Sequence, residues 1–267
     1  RNCSGVSKTA TIREFRDHAK AFAPPGLCLV ETQIALNGVG GLAGTLGFDS
    51  SFAVSSSGRS RGLVIFWNES IKVEVIGYSE YHIDVTVEDG GSISRVTFVY
   101  GEAQVPERYK TWNMLRGIAR SSNLPWTVIG DFNEVLMAQE HDGVGERSQA
   151  QMDAFRDAID TCGLVDIGYQ GNSWTFEKKV AGGTYTRVRL DRCVATPSWM
   201  LLFPHAILQH QIAASSDHSA LLLRCDHVHA CKSGPRSFKY ELAWERHPDL
   251  MQFVDTGWKS APSESVA

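Results

Sequence analysis

Two short polar clusters that lie far apart in the chain carry residue types suited to the hydrolysis of a phosphate ester. An apolar run leads into Gly130-Asp131-Phe132-Asn133, and a later cluster, Ser216-Asp217-His218-Ser219, directly precedes an apolar run at 220–223. A strand that ends in this way brings a carboxylate and an amide to the rim of a sheet, where a ligand can reach them. If the two clusters meet there, they would form a site for a divalent cation and a phosphate.

Hydrolysis of a phosphodiester needs a group for the attacking water and donors for the charged phosphorus centre. We expect Asp131 to orient or deprotonate the water and the Asn133 amide to donate to the phosphate. His218 would donate to a phosphate oxygen if a carboxylate keeps it protonated and oriented, a role that fits Asp191 in Arg189-Leu190-Asp191-Arg192. Each cluster alone also fits an ordinary surface turn.

A third carboxylate follows another apolar segment and is the main candidate for a metal ligand. Residues 27–30 predict a short buried strand, and Glu31 comes directly after it. Because Mg²⁺ usually keeps several waters and takes one or two protein carboxylates, we expect Glu31 to bind Mg²⁺, with Mn²⁺ as an alternative, and Asp217 to face the metal or its waters. Asn2 is compatible with support for the metal-binding carboxylate, and the Tyr100 hydroxyl with a hydrogen bond to phosphate. Taken alone, Glu31 also fits an edge-strand glutamate in water.

The composition argues for a folded protein whose contact with nucleic acid would be local. Of 267 residues, 43% are hydrophobic, which is enough to bury a substantial core. The 26 basic and 30 acidic residues give a formal charge of -4, which disfavours a broad electrostatic grip on nucleic acid. The basic candidates for a local contact, with nearby aromatic residues, are Arg187, Arg189, Arg192, Lys232, Arg236, Lys239, Trp174, Phe176 and Tyr185. The alternative is a solvated basic surface.

Cysteine usage and hydropathy predict an intracellular protein without a membrane span. The six cysteines show no C-x-x-C spacing, a pattern typical of reduced and mostly buried thiols. No apolar stretch approaches the roughly 20 residues that a membrane helix needs. We therefore expect no membrane partner.

Periodicity and turn residues place the polar clusters on strands that alternate with a few helices. The apolar spacing of helices occurs at 9–22, 108–120 and 149–162, and Gly163 predicts the end of the last. Short apolar or alternating runs predict strands at 27–30, 62–67, 72–76, 82–87, 95–100, 126–129, 174–176, 188–194, 205–210 and 220–223. The glycine-rich segment 38–47 and the serine-rich segment 50–60 predict loops. Together these elements predict an α/β fold with two sheets packed face to face and helices outside.

In their order along the chain, these motifs resemble those of the endonuclease/exonuclease/phosphatase superfamily. The matching motifs are Arg1-Asn2-Cys3-Ser4-Gly5, Val30-Glu31-Thr32, Val99-Tyr100-Gly101, Gly130-Asp131-Phe132-Asn133, Trp174-Thr175-Phe176, Arg189-Leu190-Asp191-Arg192 and Ser216-Asp217-His218-Ser219. Two further segments, Arg61-Gly62-Leu63-Val64-Ile65-Phe66-Trp67 and Phe238-Lys239-Tyr240-Glu241, are similar to the endonuclease region of plant non-LTR (LINE-type) retrotransposon proteins.

The resemblance implies a DNase I-like, four-layered α/β sandwich and Mg²⁺-dependent nicking of DNA that leaves a 3′-hydroxyl primer. The roles that it implies are a metal ligand for Glu31, a metal-side carboxylate for Asp217, supporting contacts for Asn2 and Tyr100, water and phosphate contacts for Asp131 and Asn133, and an oriented pair for Asp191 and His218. It further implies a nuclear location and a reverse transcriptase region, which we expect was once fused to this domain and is absent from the chain.

The chain departs from related repair endonucleases at three places. Ser4 stands where they carry a metal-binding carboxylate, Arg1 stands where a tryptophan usually precedes the first-strand Asn, and the motif at Tyr100 lacks a following Asn. We therefore expect the metal site to depend on Glu31, and specificity for abasic sites is disfavoured.

The predicted domain organisation is an endonuclease/exonuclease/phosphatase domain at 1–226 with a truncated first strand, followed at 227–267 by a linker or the start of a missing downstream region. Two alternatives to a DNA-nicking endonuclease stay open. One is a phosphatase or exonuclease of the same superfamily that acts on inositol phosphates, RNA tails or small phosphoesters. The other is a catalytically decayed remnant.

Overall fold

The computed structural model describes residues 9–32, 38–55, 62–143, 145, 147–180, 183–213 and 216–225. The helices are α1 (Thr9–Phe22), α2 (Val39–Leu46), α3 (Tyr109–Ser121), α4 (Gln149–Thr161) and α5 (Pro197–Leu202). The strands are β1 (Gly26–Val30), β2 (Ser50–Val54), β3 (Leu63–Trp67), β4 (Lys72–Ser79), β5 (His82–Asp89), β6 (Ser92–Tyr100), β7 (Trp126–Asp131), β8 (His141–Asp142), β9 (Val165–Asp166), β10 (Gln170–Gly171), β11 (Phe176–Lys179), β12 (Tyr185–Val188), β13 (Asp191–Ala195), β14 (Ile207–Gln211) and β15 (Ala220–Arg224).

Most of the strands belong to one large sheet or to a smaller sheet that packs against it. The large sheet has the order β4-β5-β6-β7-β13-β9, and its neighbours are antiparallel except for the parallel pair β6 and β7. The described residues also form the three-stranded sheets β1-β3-β2, β10-β14-β15 and β11-β12-β8.

Shared hydrophobic cores arrange these elements in four layers. The sheet β1-β3-β2 packs on the six-stranded sheet, with Ile65 and Ile83 in one core. Helices α1 and α2 cover the outer face of the smaller sheet, where Phe15 is buried. Helices α3 and α4 cover the outer face of the six-stranded sheet, where the rings of Trp112 and Phe155 stack with centroids 4.6 Å apart. The predicted α/β sandwich is therefore confirmed.

The three helices predicted from apolar spacing are confirmed, because each presents an apolar stripe to a sheet. Helix α1 has the predicted bounds, α3 is shifted by one residue at both ends, and α4 ends one residue earlier than predicted. Gly163 has a φ of 63°, which is the left-handed conformation expected just after the end of α4.

The glycine-rich segment 38–47, predicted to be a loop, forms helix α2 instead. The helix buries Val39, Leu42, Ala43 and Leu46, which follow the spacing of an apolar helix face. Glycines between these positions lower the helix propensity and hide the pattern in the sequence. The packing of this face in the core beneath β1 and β3 outweighs the low propensity.

Two predictions about strands also need correction. Strand β2 lies within 50–60, the segment predicted as a serine-rich loop, because pairing with β3 overrides the low strand propensity of serine. The predicted strand 188–194 is two strands, β12 and β13, which belong to different sheets. Arg189 and Leu190 separate them, and Asp191 is the first residue of β13. This break places the Asp191 carboxylate at the rim of the six-stranded sheet.

Three neighbouring strands bring polar side chains to that rim. Tyr100, the last residue of β6, pairs with Asp131, the last residue of β7, and Asp131 pairs in turn with Asp191. The close approach of β6 and β7 requires Gly130, whose φ is 147° and where a Cβ atom would lie 2.1 Å from the Val99 carbonyl oxygen. The glycine of the Gly130-Asp131 motif therefore serves the strand pairing that positions the aspartate.

The described part of the chain shows the state of four cysteines and the length of the helices. Cys28, Cys162, Cys193 and Cys225 are present as thiols and not as disulfides. Burial raises the pKa of Cys28 and Cys162 to about 11, so both stay uncharged at neutral pH. No helix in the described ranges is long and apolar enough to cross a membrane.

Candidate active site

Two carboxylates and an imidazole converge at the rim of the six-stranded sheet. Asp131 and Asp191 are neighbours through strand pairing, and His218 comes from the loop that precedes β15. The His218 Nδ1 atom lies 2.8 Å from Asp191 Oδ2 and 3.8 Å from Asp131 Oδ2. All three side chains are buried, so water and salt screen their interactions weakly. We refer to these three residues as the Asp-Asp-His group.

His218 is held as a protonated imidazolium. Burial by itself lowers its pKa, but the charges of Asp191 and Asp131 outweigh burial and raise the pKa from 6.5 to about 10. The Nδ1–H group therefore donates to Asp191, which orients the ring and leaves the Nε2–H group to donate to a ligand. Phe176 packs against the ring with the centroids 5.0 Å apart and limits its movement.

Glu31 and Tyr100 form a second polar pair beside the Asp-Asp-His group. The Tyr100 hydroxyl donates to Glu31 Oε1. Because Tyr100 pairs in register with Asp131, this contact lies at the adjacent strand end. Glu31 has a φ of 55°, a strained conformation for a glutamate and one that clusters at functional sites. The structure thus gives the Tyr100 hydroxyl a carboxylate partner, whereas the sequence predicted a phosphate contact.

Asn133 is fixed by its backbone and by the loop after β6. Its φ of 55° is left-handed, a conformation that asparagine tolerates better than most residues. Its backbone N–H donates to Asp131 Oδ1 and its Nδ2 donates to the Gly101 carbonyl, each at 2.8 Å. One side-chain N–H is therefore engaged within the protein, and the second remains to donate to a ligand.

The oxygen donors of the site suit a hard divalent cation. The ligand atoms of the Asp-Asp-His group lie within 4.8 Å of one another, which is close enough for three residues to share a metal ion. A protonated His218 offers no lone pair at Nδ1, however, and its proton already engages Asp191. Glu31 and Asp131 remain as the better candidates, since Mg²⁺ and Mn²⁺ prefer carboxylate oxygens.

Asp217, another predicted residue, stands apart from these contacts. The Asp217 side chain is exposed, and its backbone carbonyl accepts a hydrogen bond from the Glu177 N–H at 2.9 Å. Its charge still reaches His218, whose pKa it helps to raise. Asn2 lies outside the described residues.

Thr175 is a buried residue of the site to which the sequence analysis assigned no role. Its hydroxyl oxygen accepts hydrogen bonds from the backbone N–H groups of Leu190 and Asp191, both at 2.9 Å. Its carbonyl accepts from the Ser219 N–H at 2.7 Å. Thr175 thereby ties the first residue of β13 to the residue after His218. Its place within one of the matching motifs was the only signal in the sequence.

The prediction that Arg189 and Arg192 contact nucleic acid is wrong. Both are buried and, with Glu140 and Asp166, form what we call the scaffold cluster. Arg192 lies 2.8 Å from a Glu140 carboxylate oxygen and 2.9 Å from an Asp166 carboxylate oxygen. The buried Glu140 carboxylate and the half-buried Asp166 carboxylate require cationic partners, which is the physical reason that these arginines point inward. The other basic candidates outside the described residues are Lys232, Arg236 and Lys239.

The hairpin β11-β12, which we call the basic hairpin, leads away from the site. Its basic and aromatic residues with exposed or half-exposed side chains are Lys178, Lys179, Tyr185 and Arg187. The Arg187 guanidinium lies over the Tyr185 ring, 5.5 Å from its centroid. Phe176, the first residue of the hairpin, forms a β-bridge with His218. The basic hairpin therefore begins at the candidate active site.

Solved structures with a similar fold include nucleases and a phosphatase. The endonuclease domain of TRAS1, a telomere-specific non-LTR retrotransposon, matches with a TM-score of 0.65 at 14% identity over 84% of this chain and 95% of that one. The AP endonuclease LMAP from Leishmania major matches with a TM-score of 0.62 at 17% identity over 82% and 84%. The 3′ phosphatase NExo from Neisseria, bound to a product DNA hairpin, matches with a TM-score of 0.61 at 13% identity over 84% and 97%. At such identities the likeness shows the fold alone, which is DNase I-like.

Sequence comparison at the level of families is more decisive. No curated protein sequence matches the chain. A family model described as Endonuclease/Exonuclease/phosphatase matches residues 2–218, a span that contains Glu31, the Asp-Asp-His group and the residues between them. The chain therefore belongs to the endonuclease/exonuclease/phosphatase family.

Proposed function

We propose that the chain is a divalent-cation-dependent phosphodiesterase that nicks DNA. The observation that carries the proposal is the convergence of the Asp-Asp-His group at one end of the six-stranded sheet. Glu31 and Tyr100 lie at the adjacent strand end. Phosphate-ester hydrolysis requires a carboxylate for water, an oriented donor for phosphate and a ligand for a cation, and these residues are of the right types.

Under this proposal Glu31 holds Mg²⁺ or Mn²⁺, with Asp131 nearby and Asp217 facing the waters of the cation. Three carboxylates against one imidazolium give the site an excess of negative charge, which would repel a phosphate group without a cation. A bound cation supplies charge neutralisation on the phosphate oxygens. The Tyr100 hydroxyl donates a hydrogen bond to Glu31 and so holds this metal-binding carboxylate in place.

The remaining side chains handle water and phosphate. Asp131 orients the attacking water and accepts its proton, and the Asn133 backbone N–H holds one carboxylate oxygen in place. His218 donates from Nε2 to a phosphate oxygen, while Asp191 fixes its ring at Nδ1. The second side-chain N–H of Asn133 donates to the same phosphate. Each donor is positioned by contacts within the protein, so little reorganisation accompanies the reaction.

The basic hairpin supports a nucleic acid as the substrate rather than a small phosphate ester. Its basic and aromatic side chains extend from Phe176, beside His218, and a longer anion is needed to reach both them and the site. The resemblance to the endonuclease region of non-LTR retrotransposon proteins supports a retroelement origin, with nicking that leaves a 3′-hydroxyl primer for a reverse transcriptase region.

Plasmid nicking tests this proposal directly. Purified protein with Mg²⁺ should convert supercoiled plasmid into nicked circles, and EDTA should abolish the conversion until Mg²⁺ or Mn²⁺ is restored. Asp131→Asn and His218→Gln should each lower the rate by roughly a thousandfold, because each removes a proton-transfer or donor group. Rates are measured by gel densitometry at saturating cation.

Lys72→Gln is the matched control. The Lys72 side chain is 78% exposed and pairs with Glu88 at 3.2 Å. Strand register places Lys72 at the opposite end of the sheet from Tyr100, so the variant should nick at the wild-type rate. Undiminished nicking by His218→Gln would contradict the proposed site. Phosphate release from small esters without plasmid nicking would favour the phosphatase alternative.

A further inference from the structure

A second cluster of charged residues lies directly beside the candidate active site and has no role in the proposed hydrolysis. It consists of Glu134, which follows Asn133 in the chain, and the guanidinium groups of Arg108 and Arg147. Glu134 is fully buried, and its Oε2 atom accepts from Arg108 Nη1 while its Oε1 atom accepts from the Val135 N–H at 3.0 Å. Arg147 Nη1 lies 3.6 Å from Oε1. One carboxylate thus faces two cations.

The two arginines differ in how many hydrogen bonds their guanidinium groups donate within the described part of the protein. Arg108 is buried, makes the short contact with Glu134 and donates to the Ala103 carbonyl at 3.3 Å. The Arg147 side chain is 21% exposed and donates no hydrogen bond to the residues that the structure describes, since 3.6 Å exceeds hydrogen-bond range. Its guanidinium carries five N–H groups. Arg147 therefore contributes the excess positive charge of the cluster together with donors that remain for a ligand.

The cluster is close to the candidate active site and to the basic hairpin. Burial lowers the pKa of Arg108, and the charges of Glu134 and, more weakly, Asp131 oppose that effect. On the other side, burial and the charge of Arg147 lower the pKa of His141, which belongs to strand β8 beside β12 of the hairpin. The geometry agrees with this placement, because Arg147 faces Glu134, which directly follows Asn133 of the site. Asp142, five residues before Arg147 in the chain, pairs with Arg187 of the basic hairpin.

We propose that Arg147 binds a backbone phosphate of the substrate next to the phosphate that is cleaved, and that Glu134 and Arg108 position its guanidinium. The substrate class in this inference rests on the proposed function. A guanidinium suits phosphate because it donates two parallel hydrogen bonds. The buried Glu134 carboxylate restrains the Arg147 side chain beforehand, which reduces the entropy lost on binding.

Binding to a 20-base-pair DNA duplex in EDTA tests Arg147 without requiring cleavage. Arg147→Gln should weaken the affinity by about tenfold at low salt, since a hydrogen bond to a charged group is lost. The slope of log affinity against log salt should fall by about 0.9, the value for one phosphate contact. Arg147→Lys should keep the wild-type slope, and Lys72→Gln should match the wild-type affinity.

Kinetics provide a readout that a structural role would not change. Arg147→Gln should raise KM for plasmid nicking and leave kcat unaltered, because the contact is made equally in the ground and transition states. Wild-type affinity and wild-type salt slope in Arg147→Gln would overturn the inference even if the protein nicks plasmid. Arg147-dependent binding in a protein that does not nick would instead overturn the proposed function and support the inference.

Discussion

Two buried clusters of charged residues share strand β13 and are built on different charge balances. In the scaffold cluster two arginines face two carboxylates, and direct hydrogen bonds join them. At the candidate active site His218 faces Asp131 and Asp191, and Glu31 adds a further carboxylate nearby. The balanced cluster leaves no net charge for a ligand to neutralise, whereas the excess of carboxylates suits the divalent cation that we propose for the active site. Asp191 and Arg192 are adjacent in sequence, and alternation along the strand sends them to different clusters.

Replacing one arginine of the scaffold cluster should give the largest effect on the stability of the protein. Arg192 is fully buried, and Arg192→Met would leave Glu140 and Asp166 with Arg189 as their one described cation. Breaking a buried ion pair in this way costs about 3 to 5 kcal/mol of the free energy of unfolding, which urea denaturation would measure. Arg187→Gln, which removes an exposed partner of Glu177, is the matched control and should change stability little. A loss no larger for Arg192→Met than for the control would show that the cluster does not support the fold.

The two clusters should also limit stability at opposite ends of the pH range. Burial alone raises the pKa of Glu140 and Asp166, but the arginines outweigh it and lower both, so their stabilisation is present at neutral pH and is lost as acid protonates them below their ordinary values of 4.5 and 3.8. His218 has the opposite sign. Its raised pKa gives a contribution that is complete below pH 6.5 and disappears as pH rises toward about 10.

The free energy of unfolding of the metal-free protein should therefore fall on the alkaline side by up to about 1.4 kcal/mol per pH unit from this group. His218→Gln should remove that alkaline slope and leave the acid limb unchanged. Urea denaturation in EDTA at a series of pH values measures both limbs. An NMR titration in which the His218 ring loses its proton near pH 6.5 would show that the carboxylates do not hold it charged.

The two clusters also differ in how well they can be predicted from the sequence. Asp131 and His218 were predictable as candidates because each adjoins an apolar strand, and strand ends are a local signal. The sequence does not reveal that Arg189 and Arg192 are buried, because their partner Glu140 is about fifty residues away and nothing local identifies it. Helix α2 was missed for a related reason, since its stability comes from packing rather than from propensity. Distant contacts, which decide burial, are what a single sequence conceals.

Thr175 offers the smallest and most selective test of how the Asp-Asp-His group is positioned. Thr175→Val keeps the shape of the side chain and removes the acceptor for the Leu190 and Asp191 N–H groups, so it should cost about 1 to 3 kcal/mol of the free energy of unfolding. Because the Asp191 backbone then shifts relative to His218, kcat for nicking should fall about tenfold while KM stays constant.

Thr175→Ser separates the hydroxyl from the methyl group. Serine keeps the acceptor for both N–H groups, so this variant should recover kcat close to the wild-type value even if the lost methyl lowers stability. If kcat instead follows stability in both variants, Thr175 acts only in the fold. If kcat is high in the two proteins that keep a hydroxyl at position 175 and low in Thr175→Val, the hydrogen bonds at the start of β13 set the distance between Asp191 and His218. A neutral residue would then hold β13 in place at the point where the Asp-Asp-His group and the scaffold cluster meet.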